Sequence, residues 1–114
     1  MRKINQTITL IYRKFVGELH WAIKNGLICG ENVTVMGRTT FGSEPYLITL
    51  KDHVRISENV TFINHDGGTW AFRHMKKYQN IKKFGTIIIG EYSFIGACSV
   101  IMPGVEIGQN CVIG

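Results

Sequence analysis

From residue 89 onward the chain divides into sixes: "IGEYSF", "IGACSV", "IMPGVE", "IGQNCV" and a final "IG". Ile89, Ile95, Ile101, Ile107 and Ile113 fall at strict six-residue intervals. Four positions after the first four of them stand Ser93, Ser99, Val105 and Cys111, all small or medium-sized. Glycine follows the isoleucine at positions 90, 96, 108 and 114. A helix repeats its apolar face roughly every 3.6 residues and a strand alternates at two, so neither fits a period of six. A flat strand, a turn and another flat strand do fit, wound coil upon coil with one bulky and one small residue turned inward per side. The glycines are then expected at tight turns needing positive φ. A single hexad cannot bury its apolar face alone, so successive coils must stack.

The same period runs upstream. Leu50, Ile56 and Phe62 take the bulky position, with Val54 and Val60 four residues after the first two. Cys29, Val35 and Phe41 extend it towards the N-terminus. The register slips between Phe41 and Leu50, and again between Phe62 and Ile89, which marks inserted segments. With 114 residues the chain is one domain at most, and a 45% hydrophobic share is too high for intrinsic disorder. Three cysteines without a CxxC pair argue against a disulfide framework and for a reducing compartment. No run of apolar residues is long enough to span a membrane. The N-terminus also lacks the apolar core and cleavage site of a secretory signal, so the expected location is cytoplasmic.

The tail "IGEYSFIGACSVIMPGVEIGQNCVIG" resembles the hexapeptide-repeat acyltransferases, and "VRISENVTFINHDGGTW" is similar to the active-site segment of their sugar O-acetyltransferase branch. The resemblance covers roughly residues 28–114. It implies an all-β solenoid, a left-handed parallel β-helix spanning residues 27–114, with one extruded loop at about residues 64–86. It implies transfer of an acetyl group from acetyl-CoA to a sugar hydroxyl, in surface polysaccharide synthesis, by a homotrimer with active sites between subunits. Family members usually continue for further coils, so the chain is expected to be C-terminally truncated. A truncated, non-catalytic β-helix and a glycan-binding module are the competing readings.

Residues 1–26 read as a separate N-terminal element. Ile4, Ile8, Ile11, Phe15, Leu19, Ala22 and Ile23 are spaced as the apolar stripe of a helix, and Asn25-Gly26 suits its stop. This helix either caps the open end of the coil stack or rests its basic flank on an anionic membrane surface.

The site candidates cluster where "VTFINHDGGTW" stops alternating. In the resembling enzymes the histidine at the position of His65 is the general base, and histidine titrates near neutrality as that role requires. Asn64, Asp66 and Trp70 are expected to support the base or bind the acceptor. Asp66 either orients the imidazole or caps a turn, since Asp-Gly is a common turn pair. Trp70 either stacks on a sugar ring or anchors the loop against a neighbouring subunit. "FIGACS" resembles the stretch along which the pantetheine arm of CoA passes, which makes Gly96 and Ala97 the cofactor-binding candidates. The basic run of residues 73–83 is a solvated loop or a contact for an acidic glycan or the CoA phosphates; no recognition motif links it to nucleic acid. His20, His53, His65 and His74 lack the spacing of the three-histidine zinc class built on this fold, so no metal is expected. Cys98 and Cys111 read as packing residues.

Overall fold

The computed structural model describes residues 6–8, 10 and 17–114. The chain winds through three faces in turn. The first coil lays down β1 (Ile28–Cys29), β2 (Thr34–Val35) and β3 (Thr39–Thr40). The second lays down β4 (Ile48–Leu50), β5 (Arg55–Ile56) and β6 (Val60–Phe62). A two-stranded antiparallel ribbon, β7 (His65–Asp66) with β8 (Lys83–Phe84), interrupts the winding. The third coil follows as β9 (Ile87–Ile89), β10 (Phe94–Ile95) and β11 (Val100–Ile101), then β12 (Glu106–Ile107) and β13 (Val112–Ile113).

Strands stack in parallel by face: β1-β4-β9-β12, then β2-β5-β10-β13, then β3-β6-β11. The last two coils pair Phe94 with Val112 and Glu106 with Ile88, a step of eighteen residues, or three hexads. Thr34 pairs with Arg55, so three extra residues lie between the first and second coils. Arg55 pairs with Phe94, so twenty-one lie between the second and third. Both register slips are therefore insertions, and both fall at the corner between the third face and the first.

The inward isoleucines form one continuous core. Leu50, Ile56, Phe62, Ile89, Ile95, Ile101 and Ile107 are buried, with Val54 and Val60 in the smaller position. Each such side chain contributes about 1.5–3 kcal/mol over the exposed state. Cys29, Val35 and Ile113 occupy the same register but are only partly buried and pack against that core. Among the described residues, a further coil packs on them from one side only.

The hexad glycines do not serve positive φ. The left-handed corner residues are Asn32, His53, Tyr92 and Asn110 at one corner and Asn59 and Cys98 at the next, with φ between 56° and 63°. Gly90 and Gly96 are instead required by the closeness of the next coil. A Cβ at Gly90 would stand 2.5 Å from the Gly108 carbonyl carbon, and one at Gly96 would stand 2.6 Å from the Ile113 carbonyl oxygen. Both neighbours are backbone held in the parallel ladder and cannot rotate away. Gly90→Ala is expected to cost about 1–3 kcal/mol by forcing two coils apart. Gly108→Ala, whose Cβ meets only the Cys111 sulfur at 3.8 Å, is expected to cost under about 0.5 kcal/mol. Urea unfolding midpoints of the two variants check the difference.

The N-terminal helix is not the single segment that its apolar spacing predicts. Gly17 has φ 79° and ψ 157°, and α1 (Glu18–Lys24) starts only after it. The stripe positions before residue 17, apart from exposed Ile8, lie outside the described residues. In α1, Ala22 is buried, with Leu19 and Trp21 packed beside it on the core, while Ile23 is exposed. The helix ends at Asn25, and Leu27 donates back to the Ala22 carbonyl at 2.9 Å. No helix among the described residues is long and apolar enough to cross a membrane.

Candidate functional site

His65 opens the ribbon β7–β8, where it pairs with Phe84. The base of the ribbon is held by Asn64. Its carbonyl accepts from the Gly85 N–H at 2.8 Å, and its side-chain Nδ2 donates to the Gly85 carbonyl at 3.4 Å. The two ends of the long insertion are thereby joined before the coil resumes. His65 leaves this junction with its ring half exposed, its centroid 5.4 Å from that of Phe84.

The imidazole has a carboxylate partner that the sequence did not suggest. Nδ1 of His65 lies 3.1 Å from both carboxylate oxygens of Glu44. Glu44 sits in the shorter insertion, one coil earlier, just before the 3-10 turn Pro45–Leu47. Because both insertions leave the stack at the same corner, twenty-one residues of separation become one hydrogen bond. The Glu44 side chain is only 15% exposed, against 49% for His65. A carboxylate accepts and does not donate, so the proton on this imidazole belongs on Nδ1 and the Nε2 lone pair is free. That is the arrangement of an oriented base.

Asp66 is engaged elsewhere. Its Oδ1 accepts from the Gly68 N–H at 2.8 Å and caps the 3-10 turn Gly67–Thr69. That turn leads into α2 (Trp70–Arg73). A cavity of about 200 Å³ opens beside the imidazole, walled by Asp66, Thr69, Arg73, Lys82, Lys83 and Phe84. Asn64 is buried behind it and Trp70 is not in its wall. Trp70, 78% exposed, lines the adjoining hollow with Arg73 and His74. The Arg73 guanidinium carbon lies 6.0 Å from the Trp70 ring centroid, so Arg73 belongs to both hollows. Gly96 and Ala97 lie at a different corner, between the second and third faces, and take no part in this cavity. Within one copy of the chain, the proposed base and the proposed pantetheine contacts are not brought together.

A larger hollow of about 460 Å³ follows another corner, lined by His53, Arg55 and Tyr92 among others. Its histidine stacks on Tyr92 with ring centroids 4.5 Å apart. Among the described residues no carboxylate pairs with it. Its serine, Ser93, donates to the Gly108 carbonyl at 2.6 Å and is a structural bridge between coils.

The cysteines do not form a nucleophilic site. Cys98 is exposed at a left-handed corner, contrary to its reading as a packing residue. Cys111 is partly buried against the core as expected. Burial pushes the Cys29 thiol up, which keeps it protonated and unreactive at neutral pH. Among the described residues no three His, Cys, Asp or Glu side chains come together to hold a metal ion.

Residues 86–114 match the family model described as bacterial transferase hexapeptide (six repeats). The chain is 56% identical to Protein CapG of Staphylococcus aureus over 68 residues, which is 60% of this chain and 38% of that protein. The chain thus spans well under half the length of the curated relative it matches. No solved structure matches it. Sequence reading missed Glu44, and with it Thr69 and Phe84 in the cavity wall. "GSEPY" carries no motif of its own, and only its place in a register slip pointed to that corner.

Proposed function

We propose, from the premise that this chain belongs to the hexapeptide-repeat acyltransferase family, that it transfers an acetyl group from acetyl-CoA to a sugar hydroxyl. The single observation that carries this reading is the Glu44-oriented imidazole at the mouth of a cavity. Nε2 of His65 takes the proton of the acceptor hydroxyl as its oxygen attacks the thioester carbonyl carbon. The tetrahedral adduct collapses, the carbon–sulfur bond breaks, and the proton on Nε2 passes to the departing thiolate. The products are the O-acetyl sugar and CoA. Glu44 touches neither reactant: it is a positioning residue that holds Nδ1–H and steadies the charged imidazolium that forms transiently.

By family resemblance, the pantetheine arm in this reading runs along Gly96 and Ala97, on a coil wound in the left-handed sense. Those residues and His65 occupy different corners of one copy. A homotrimer that sets one copy's His65 corner beside the next copy's Gly96 corner completes the site, and the exposed Trp70 suits such a contact or a stacked sugar. We place the reaction in the cytoplasm, where acetyl-CoA is available, in the assembly of a surface polysaccharide.

Release of CoA thiol and acetylated product, scored over a panel of monosaccharides and nucleotide sugars, tests the reading. Glu44→Gln is expected to lower kcat about ten- to a hundredfold, a share of the roughly 10²–10⁴-fold general-base effect. The glutamine amide can donate as well as accept, so it no longer enforces one tautomer. The KM for acetyl-CoA is expected to stay unchanged. A Glu44→Gln variant with full turnover removes Glu44 from the mechanism; no transfer to any sugar by a protein that binds acetyl-CoA overturns the reading itself.

A further inference from the structure

The cavity beside His65 carries more positive charge than the proposed chemistry requires. Arg73, Lys82 and Lys83 all line it, against one carboxylate, Asp66, whose Oδ1 accepts from the Gly68 N–H. Among the described residues, none of the three cations forms a salt bridge. The sharper observation is at Arg73, whose Nε is buried and has no hydrogen-bond partner. A buried guanidinium nitrogen left unsatisfied is costly, and an anion is the partner that offsets that cost best. The sequence brings these residues together from two places. Arg73 ends α2, at the start of the basic run, and Lys82 and Lys83 stand at its end, on and beside β8. The ribbon and the turn capped by Asp66 fold both ends back to the imidazole.

We propose that the acceptor is an anionic sugar, carrying a carboxylate or phosphate close to the hydroxyl that becomes acetylated, and that Arg73 with Lys82 and Lys83 binds that anion. This inference rests on the acyl-transfer reading for the role of His65, but the anion site itself does not. CoA is the other source of phosphate. Its pantetheine arm separates the thioester from its phosphates by more than the width of a 200 Å³ cavity, however. With the thioester at His65, the cations lining the same cavity face the acceptor.

The test uses three soluble probes: methyl glucoside, methyl glucuronide and glucose 1-phosphate. Binding to the protein without CoA is followed through the His65 ring signals in NMR, and acetyl transfer and both KM values are measured where turnover occurs. One or both charged probes are expected to bind at least tenfold tighter than the neutral glucoside, with an advantage that shrinks as salt is added. The better of the two identifies the anion as carboxylate or phosphate. Arg73→Gln is expected to abolish that advantage and Arg73→Lys to restore part of it. Paired Lys82→Gln and Lys83→Gln changes, both at exposed positions, are expected to reduce it severalfold. Equal binding of neutral and charged probes overturns the proposal. So does an Arg73→Gln variant that raises the KM for acetyl-CoA and leaves acceptor binding unchanged, since the cations then serve CoA. Charge-selective binding that needs Arg73, together with no acetyl transfer to any sugar, keeps the anion site and overturns the acyl-transfer reading alone.

Discussion

His65→Ala is expected to lower the kcat of acetyl transfer by about 10²–10⁴-fold while leaving the protein folded and able to bind acetyl-CoA. The expectation of an intact fold follows from where the side chain sits. It is half exposed, beside the Glu44 carboxylate and the Phe84 ring, which is tilted 44° to the imidazole. Truncation removes no core contact, so the fold is expected to hold, at a cost of about 1–3 kcal/mol for taking the partner from the mostly buried Glu44 carboxylate. His65→Asn is the stricter variant, because it keeps a polar group at the position but no base. Because Glu44 acts through the imidazole, adding Glu44→Gln to His65→Ala is expected to lower kcat no further. Independent contributions would instead multiply. Stopped thiol-release assays on the four proteins of this cycle, with calorimetric binding of acetyl-CoA as the control, measure it. Wild-type turnover by His65→Ala sinks the catalytic assignment.

Phe62→Ala is expected to destabilise the protein by about 3–5 kcal/mol, a large part of the roughly 5–15 kcal/mol available to a domain. Phe62 is fully buried and stacks on Phe41 from the coil before, with ring centroids 5.3 Å apart and planes 14° from parallel. Phe62 and Phe41 stand just inside the corner from which both insertions leave. Phe62→Leu keeps most of the volume and is expected to lose about half as much or less. The cavity left by alanine lies two residues before Asn64, which ties the base of the long loop. We therefore expect loss of Phe62 to loosen the site as well as the core. Denaturant midpoints and loop proteolysis of the two variants give both readings. Equal stability of the wild type and Phe62→Ala would falsify the placement of Phe62 in the core.

The two outcomes concern different kinds of residue, and they were legible in the sequence to different degrees. Phe62 announced itself through period: bulky residues at sixes in a chain of this composition leave stacked coils as the economical way to bury them. The register of every strand pair except the ribbon follows from that count once the two slips are allowed for. His65 was visible through its motif, since a histidine, a carboxylate and two glycines break an alternating strand. The role of the hexad glycines was only half legible. Spacing marks where backbone is special, but whether the cause is positive φ or a neighbouring coil 2.5 Å from an added Cβ depends on the stacking distance. Gly17 was unreadable for a similar reason: apolar spacing is continuous across it, and its backbone conformation is not.

What the sequence determined by itself is the local and the periodic: the six-residue repeat, the coil, the inward positions and the place where loops leave. Those depend on residues near one another along the chain or at a fixed interval. What the tertiary structure alone decided is the partnership across insertions. Glu44 meets His65 because insertions of different length leave at one corner of the stack, and Arg73 joins Lys82 and Lys83 because the longer insertion folds back on itself. Glu44 and His65 stand twenty-one residues apart, the offset that also pairs Thr39 with Val60, but side-chain contact beyond the last strand pair is fixed by the path the backbone takes through space.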